Sequence, residues 1–258
     1  METIRYSLDQ GIATVTFDEP GSAVNTMKPQ WQQDMIALAD QLSADAAQLR
    51  GVLLTSAKTT FFAGADLNGV LKLRAEDAAA GFSGIELLKK AFRRIECMGK
   101  PVVSLINGAA LGGGVGLTCA CDMAVVADNA SFSVSEAKFG ILPAVIGPYV
   151  VNAVGKRNAR YLALTTTRID ANTALSMGMV QRVVSADALD AEVDRVVAEL
   201  VAGGFAAPAL CQRAGGQPQR PVLQRRARAP VRRRLGLALG RCRRTRASER
   251  RQRAGRLA

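Results

Sequence analysis

The chain contains no histidine. That absence rules out Ser-His-Asp and Cys-His nucleophile systems, histidine-ligated metals and imidazole acid/base chemistry. Proton transfer must fall to Glu, Asp, Lys, Tyr or Cys. Paired cysteines are missing as well: Cys97, Cys119, Cys121, Cys211 and Cys242 form an odd set without CxxC spacing, which indicates neither a disulfide framework nor a zinc site. Cys119 and Cys121 read as small buried fillers. No apolar run approaches the roughly 20 residues of a membrane span. The opening METIRYSLDQGIATVTF also lacks the basic-then-apolar layout of a secretory signal. The expectation is a soluble, cytoplasmic protein.

What the chain does have is 258 residues with 48% hydrophobic content, enough for one large domain or two small ones with a sizeable core. Its formal charge of +12 suggests an anionic partner until the charge is located. From Phe205 onward there are 16 arginines, no lysine and one acid, Glu249, for a charge of +15; the first 204 residues carry 18 basic against 21 acidic groups, or −3. The basicity belongs entirely to the tail.

IRYSLDQGIATVTFD reads as two short strands joined by a turn, because Ala13, Val15 and Phe17 alternate with Ile12, Thr14 and Thr16. In PQWQQDMIALADQLSAD, Trp31, Met35, Leu38 and Leu42 recur at helical spacing, with Pro29 in the first turn. RGVLLTSA has the character of a buried parallel strand. FFAGADLNGV then predicts a loop entering a helix, and GFSGIELLKKAFRRIECM a longer amphipathic helix. The pattern repeats with a strand over 102–106, a glycine-rich turn, a helix through Cys119 and a strand over 123–127. GPYVVNAVGKRNARYLALTT and ANTALSMGMVQRVV read as helices joined by short turns. ALDAEVDRVVAELVAGG reads as an amphipathic helix ended by Gly203 and Gly204. Such alternation argues for an α/β fold with ligand sites where strands hand over to loops. Residues 204–258 abandon this grammar. They suit a disordered basic arm, a structured surface or the translated frameshift of a GC-rich gene; the frameshift is the expectation, because arginine codons dominate such frames. The organisation is therefore one folded domain over 1–203 and an atypical Arg-rich tail over 204–258.

LGGGVG, residues 111–116, carries four glycines within five positions. Gly112, Gly114 and Gly116 begin a GxG pattern, but Leu117 or Cys119 stands where GxGxxG would close, and no GK[ST] follows for a P-loop. Either the glycines permit close helix packing, or they present bare N–H groups to a ligand. FFAGAD and LGGGVG both place backbone N–H groups near a helix start. Two such donors converging on one carbonyl oxygen make an oxyanion hole.

In order and spacing, FFAGADL, NGAALGGGVGLTCACDMAVVAD and SFSVSEAKFGILP resemble the crotonase (enoyl-CoA hydratase/isomerase) family over about residues 1–203. The resemblance implies a crotonase-like ββα spiral core followed by a C-terminal helical region, and assembly as homotrimers or dimers of trimers. It also implies an acyl-CoA substrate, with coenzyme A part of that substrate and no separate cofactor or metal. By position, the oxyanion donors would be the N–H groups of Ala65 and Gly113. Ala23, Ala63, Asp66 and Leu67 would line the coenzyme A path, mostly through backbone, with Gly112 and Gly116 beside the substrate.

Hydratases of the family set two glutamates around one water; the first position is Gly116 here and the second is Glu136. A single carboxylate suits a 1,3-proton shift, which is the isomerase reading. The longer stretch from GLTCACD to TTTRID is most similar to a bacterial subgroup that includes methylglutaconyl-CoA hydratases of leucine and isoprenoid catabolism, which also tend to lack the first glutamate. The expectation is hydration of a 2-enoyl-CoA with Glu136 as the acid/base group. Isomerisation and an inactive acyl-CoA-binding pseudoenzyme are the alternatives. RNA binding through the tail ranks below them, since the tail lacks interleaved aromatics. Asp122 reads as a turn or packing acid, Asp66 as a helix cap and Tyr149 as half-buried packing. Lys89, Lys90, Arg93 and Arg94 read as a solvated helix face, although a coenzyme A 3′-phosphate would need cations of this sort.

Overall fold

The first strands, β1 (Ile4–Asp9) and β2 (Ile12–Phe17), pair antiparallel with Ile4 opposite Phe17. In this computed structural model, which describes residues 1–66 and 78–202, Ala13, Val15 and Phe17 are fully buried and Ile12, Thr14 and Thr16 are not. Period-two burial is what sets the register of such a hairpin. Leu67, the helix expected after FFAGAD, Gly203, Cys211, Cys242 and the tail over 204–258 lie outside the described residues.

Helix α1 (Pro29–Ala44) has Pro29 in its first turn and buries Trp31, Met35, Leu38 and Leu42. It also buries Asp34, whose carboxylate accepts the N–H groups of Glu2 (2.8 Å) and Thr3 (2.6 Å), the Thr3 hydroxyl (2.8 Å) and Gln30 Nε2 (3.0 Å). Burial opposes this charge, yet those donors outweigh it and hold the carboxyl below its usual range. Strand β3 (Gly51–Ser56) follows, parallel to β2. After α2 (Ala78–Glu96), β4 (Val102–Ile106) pairs parallel with β3. Next come β5 (Ala110–Leu111), α3 (Gly113–Ala120), β6 (Met123–Ala127) and β7 (Ser131–Ser133). A short 3₁₀ turn (Glu136–Phe139) leads to α4 (Gly147–Thr165), β8 (Ile169–Asp170), α5 (Ala171–Ser176), β9 (Arg182–Val184) and α6 (Leu189–Ala202).

The main sheet has the order β1-β2-β3-β4-β6-β9, parallel throughout except at the β1-β2 hairpin. Every residue of β4 is buried, and its two faces serve different cores. Val102 and Ile106 join the aromatic core of Phe17, Trp31, Phe62 and Phe92, while Val103 and Leu105 pack with Val125 against Leu189, Val193 and Val196 of α6. Helices covering both faces explain why this strand is a continuous apolar run.

Two expectations about element type need correction. ANTALSMGMVQRVV is not helical throughout: α5 ends at Ser176, and Arg182–Val184 becomes an edge strand parallel to β6. Long-range pairing decides this, since Gln181 exchanges bonds with Ala124, its N–H reaching the carbonyl at 3.1 Å and its Oε1 accepting the N–H at 2.8 Å. The stretch 147–165 is one helix only in outline, because Gly155 at φ +74°, ψ 163° breaks it. A second small sheet, β5-β7-β8, was also invisible in the sequence, its strands being two or three residues long.

Candidate active site

Strands β2, β3 and β4 run parallel, so the chain leaves Phe17, Ser56 and Ile106 at one edge of the sheet. Loops at the carboxyl ends of parallel strands are where α/β folds build sites. The loop after β3 carries Phe61 and Phe62, both fully buried, which anchor residues 63–66 above the aromatic core. Phe62 is stitched to the glycine run: its N–H donates to the Ala109 carbonyl (3.2 Å) and its carbonyl accepts the Leu111 N–H (2.9 Å). A third segment joins them, with Ala63 N–H donating to Asn25 O and Met27 N–H donating to Gly64 O, both at 2.9 Å.

Two amides emerge from this weave. Gly112 has φ +49° and ψ −114°, a backbone state open to glycine, and it turns the next peptide so that Gly113 opens helix α3. A Cβ on Gly64 would lie 3.3 Å from Gly113 N, which places the two loops in contact. Among the described residues, neither the Ala65 nor the Gly113 N–H donates to an acceptor. At Gly113 that is the unpaired donor of a helix first turn, where the dipole also favours negative charge. Ala65 is exposed and Gly113 buried, so the pair spans a rim and a floor.

The carboxylate arrives from the other side of the glycine run. Gly112 N–H donates to the Ser133 carbonyl (2.8 Å), which ties β7 to the run three residues before Glu136. A Cβ on Gly112 would stand 3.2 Å from Glu136 Oε1 and 3.4 Å from Ser135 Oγ. The Glu136 Oε2 atom is buried and has no hydrogen-bond partner among the described residues. Desolvation raises the carboxyl above its ordinary value. A carboxyl of this kind, next to bare amides at a loop cluster, has the properties of a general acid/base.

The other expected positions separate. Ala23 is exposed and Ala63 and Asp66 are half-buried, and the Ala63 N–H is already taken by the Asn25 carbonyl. Gly116 has no room for a side chain: a Cβ there would collide with Ile146 and come within 2.7 Å of Phe92 Cε1. Phe92 of α2 and Ile146, the cap residue before α4, thus fill the place where a first glutamate would project. Asp122 accepts the Val102 N–H at 2.8 Å, a packing role. Tyr149 packs on Phe92 with ring centroids 5.4 Å apart, and burial pushes its hydroxyl up to about 12. Lys89, Lys90, Arg93 and Arg94 are exposed along α2, where Lys89 pairs with Glu86 at 2.7 Å and Arg93 with Glu96 at 2.5 Å. Burial pushes the Cys119 thiol to about 12 and raises Cys121 further, so both are inert fillers. Sequence reading missed Met27, whose Cε would be 2.6 Å from a Cβ on Gly113, and Asn25; a turn-rich stretch gives no periodic signal for either.

A sequence model of the enoyl-CoA hydratase/isomerase family matches residues 7–229. The chain belongs to that family. It is 30% identical over 205 residues to the short-chain-enoyl-CoA hydratase of Clostridium acetobutylicum, covering 79% of this chain and 77% of that one. It is 36% identical over 180 residues to the fatty acid oxidation complex subunit alpha of Idiomarina loihiensis, covering 68% of this chain but a 25% share of that longer protein. Among solved structures, an enoyl-CoA hydratase from Shewanella pealeana superimposes with a TM-score of 0.77 at 29% identity, covering 97% of this chain and 90% of that one. The crotonase-like α/β fold is therefore shared, and the amides and the carboxylate described above lie within the matched region.

Proposed function

We propose that the chain adds water across the double bond of a 2-enoyl-CoA thioester. The observation that carries this is Glu136: a desolvated carboxyl with an unpartnered buried oxygen, set against Gly112 beside two amides without acceptors. In this reading the Ala65 and Gly113 N–H groups polarise the thioester carbonyl. Water attacks the β-carbon as its proton passes to the Glu136 carboxylate, the two amides hold the resulting enolate, and Glu136 returns the proton to the α-carbon. The product gains one water and the enzyme ends unchanged. Ala23, Ala63, Asp66 and Leu67 would border the coenzyme A chain. A branched acyl group with its own carboxylate, as in methylglutaconyl-CoA, is the finer substrate assignment, resting on the sequence resemblance. Assembly as a homotrimer or dimer of trimers belongs to the same reading, as does a cytoplasmic location; among the described residues no helix is long and apolar enough to cross a membrane.

One observation favours a second reading. The place of a second carboxylate is filled by Ile146 and Phe92, and a single carboxylate is sufficient for a 1,3-proton shift. Mass spectrometry after incubation with 2-enoyl-, 3-enoyl- and 3-methylglutaconyl-CoA separates the two. A gain of one water that disappears in Glu136→Gln supports hydration. Positional change at constant mass supports isomerisation, and no turnover of any substrate supports an acyl-CoA-binding pseudoenzyme.

A further inference from the structure

Asn25 is 2% exposed and bonds through both ends of its side-chain amide at the root of the loops that form the site. Its Nδ2 faces the Phe17 carbonyl (3.2 Å), Ser56 Oγ (2.9 Å) and the Phe61 carbonyl (3.3 Å), and its Oδ1 accepts the Glu19 N–H (3.0 Å). Three acceptors on one side and a backbone donor on the other settle which end of the amide is nitrogen. These partners lie at the end of β2, at the end of β3 and on the loop that carries Phe61, so one side chain joins three segments.

We propose that Asn25 is the positioning residue of the oxyanion hole, setting the direction of the Ala65 N–H through the backbone. The inference rests on the reading of Ala65 and Gly113 as oxyanion donors. Asn25 grips residue 63 directly, since its carbonyl accepts the Ala63 N–H. Two residues on, the Met27 N–H grips the Gly64 carbonyl. Thr26 between them is tied down by Glu19, which accepts its N–H at 3.1 Å and its hydroxyl at 2.8 Å and also pairs with Lys28. A trans peptide is planar, with its C=O and N–H pointing opposite ways. Fixing the Gly64 carbonyl on Met27 therefore fixes the Ala65 N–H on the other side. The side chain of Asn25 locates residues 25–27, and those residues orient the peptide that supplies the donor.

The chemistry of the alternatives supports this assignment. Aspartate at 25 has the same size but would set a carboxylate oxygen against the Phe17 and Phe61 carbonyls. Alanine would leave the Phe61 carbonyl and the Glu19 N–H without their partner in a buried place, and the Phe17 carbonyl with the Ala57 N–H alone. Either change loosens the clamp, and a displacement of about 1 Å at a reacting centre costs on the order of 10²-fold in rate.

The test reads the carbonyl itself. Butanoyl-CoA has no double bond to hydrate, so carbon-13 at its thioester carbonyl reports polarisation by infrared difference spectroscopy without turnover. In the full-length wild-type chain and in Glu136→Gln, the bound carbonyl band is expected below its position in solution. In Asn25→Ala the band returns most of the way to the solution position. With 2-butenoyl-CoA as substrate, kcat of that variant falls on the order of 10²-fold, while KM and butanoyl-CoA affinity are retained. Ser56→Ala, which removes one Nδ2 partner, lies between the two and carries the test if Asn25→Ala does not fold. A lowered band and wild-type kcat in the folded variants would overturn the role of Asn25 and leave the oxyanion hole standing. An unshifted band in wild type would instead overturn the hole, and the positioning role with it.

Discussion

At the scale of single residues, Glu136 combines a catalytic need with a stability cost. Burial raises its carboxyl in the folded chain, so folding favours the neutral form. Stability linked to this group is fully present below the ordinary glutamate value and is lost as pH rises through the raised folded value. Glu136→Gln should therefore melt higher than wild type near neutral pH, and the difference should vanish in acid, as thermal denaturation across pH will show. The same substitution should lower kcat by about 10²–10⁴-fold, the usual contribution of a general acid/base. In wild type, the acid limb of kcat/KM should lie above the ordinary glutamate range, because the group must be ionised to accept the proton of water. Gly116 gives the opposite lesson. Gly116→Glu should not create a two-carboxylate hydratase, since Ile146 and Phe92 occupy its space. Overpacking should cost about 1–3 kcal/mol or more, read by urea denaturation, with no gain in water addition by mass spectrometry.

At the scale of elements, α4 and α6 carry the clearest expectations. Gly155 interrupts α4 in a conformation that essentially only glycine adopts, and a Cβ there would meet nothing within 4 Å. Gly155→Ala should then destabilise through backbone strain alone, by about 1–3 kcal/mol, without touching kcat. A helix that straightens and gains stability would show the break to be incidental. Helix α6 closes the second core, and Leu189, 4% exposed, packs with Val103, Leu105 and Val125 from the far face of the sheet. Leu189→Ala should cost about 2–5 kcal/mol, as truncation of a buried leucine does. The loss should appear in denaturant midpoints and leave substrate affinity in place, because the site lies at the strand ends rather than on that face.

For the whole molecule, the charge division bears on assembly and on the gene. A first part of net −3 followed by 16 arginines without a lysine is a change of composition, not of degree. Reading the DNA one base out of register after about codon 205 is expected to give amphipathic helices bearing lysine and leucine. A shifted frame without such helices sinks the frameshift idea and leaves the tail as native sequence. Restoring those helices should convert the protein to homotrimers or dimers of trimers by analytical ultracentrifugation and raise turnover if the C-terminal helices help cover the site.

Local sequence determined the hairpin, α1, β3, α2, β4, α3 and β6, because each has a period or an apolar run long enough to reveal which face is buried. It also determined the chemistry available: without histidine, proton transfer fell to Glu, Asp, Lys, Tyr or Cys, among which the family resemblance pointed to Glu136, and LGGGVG and FFAGAD marked where bare amides would stand. Tertiary structure alone decided the rest. Strands of two or three residues, such as β5, β8 and β9, exist only because a partner strand supplies their hydrogen bonds. The exclusion of a glutamate at 116 depends on the side chains of Phe92 in α2 and Ile146 at the start of α4, about 24 and 30 positions away in sequence and close enough in space to collide with a Cβ there. The clamp of Asn25 on Ala63 and of Met27 on Gly64 joins residues more than thirty positions apart. A direction of an N–H group is a property of peptides held by such distant partners, and no local pattern encodes it.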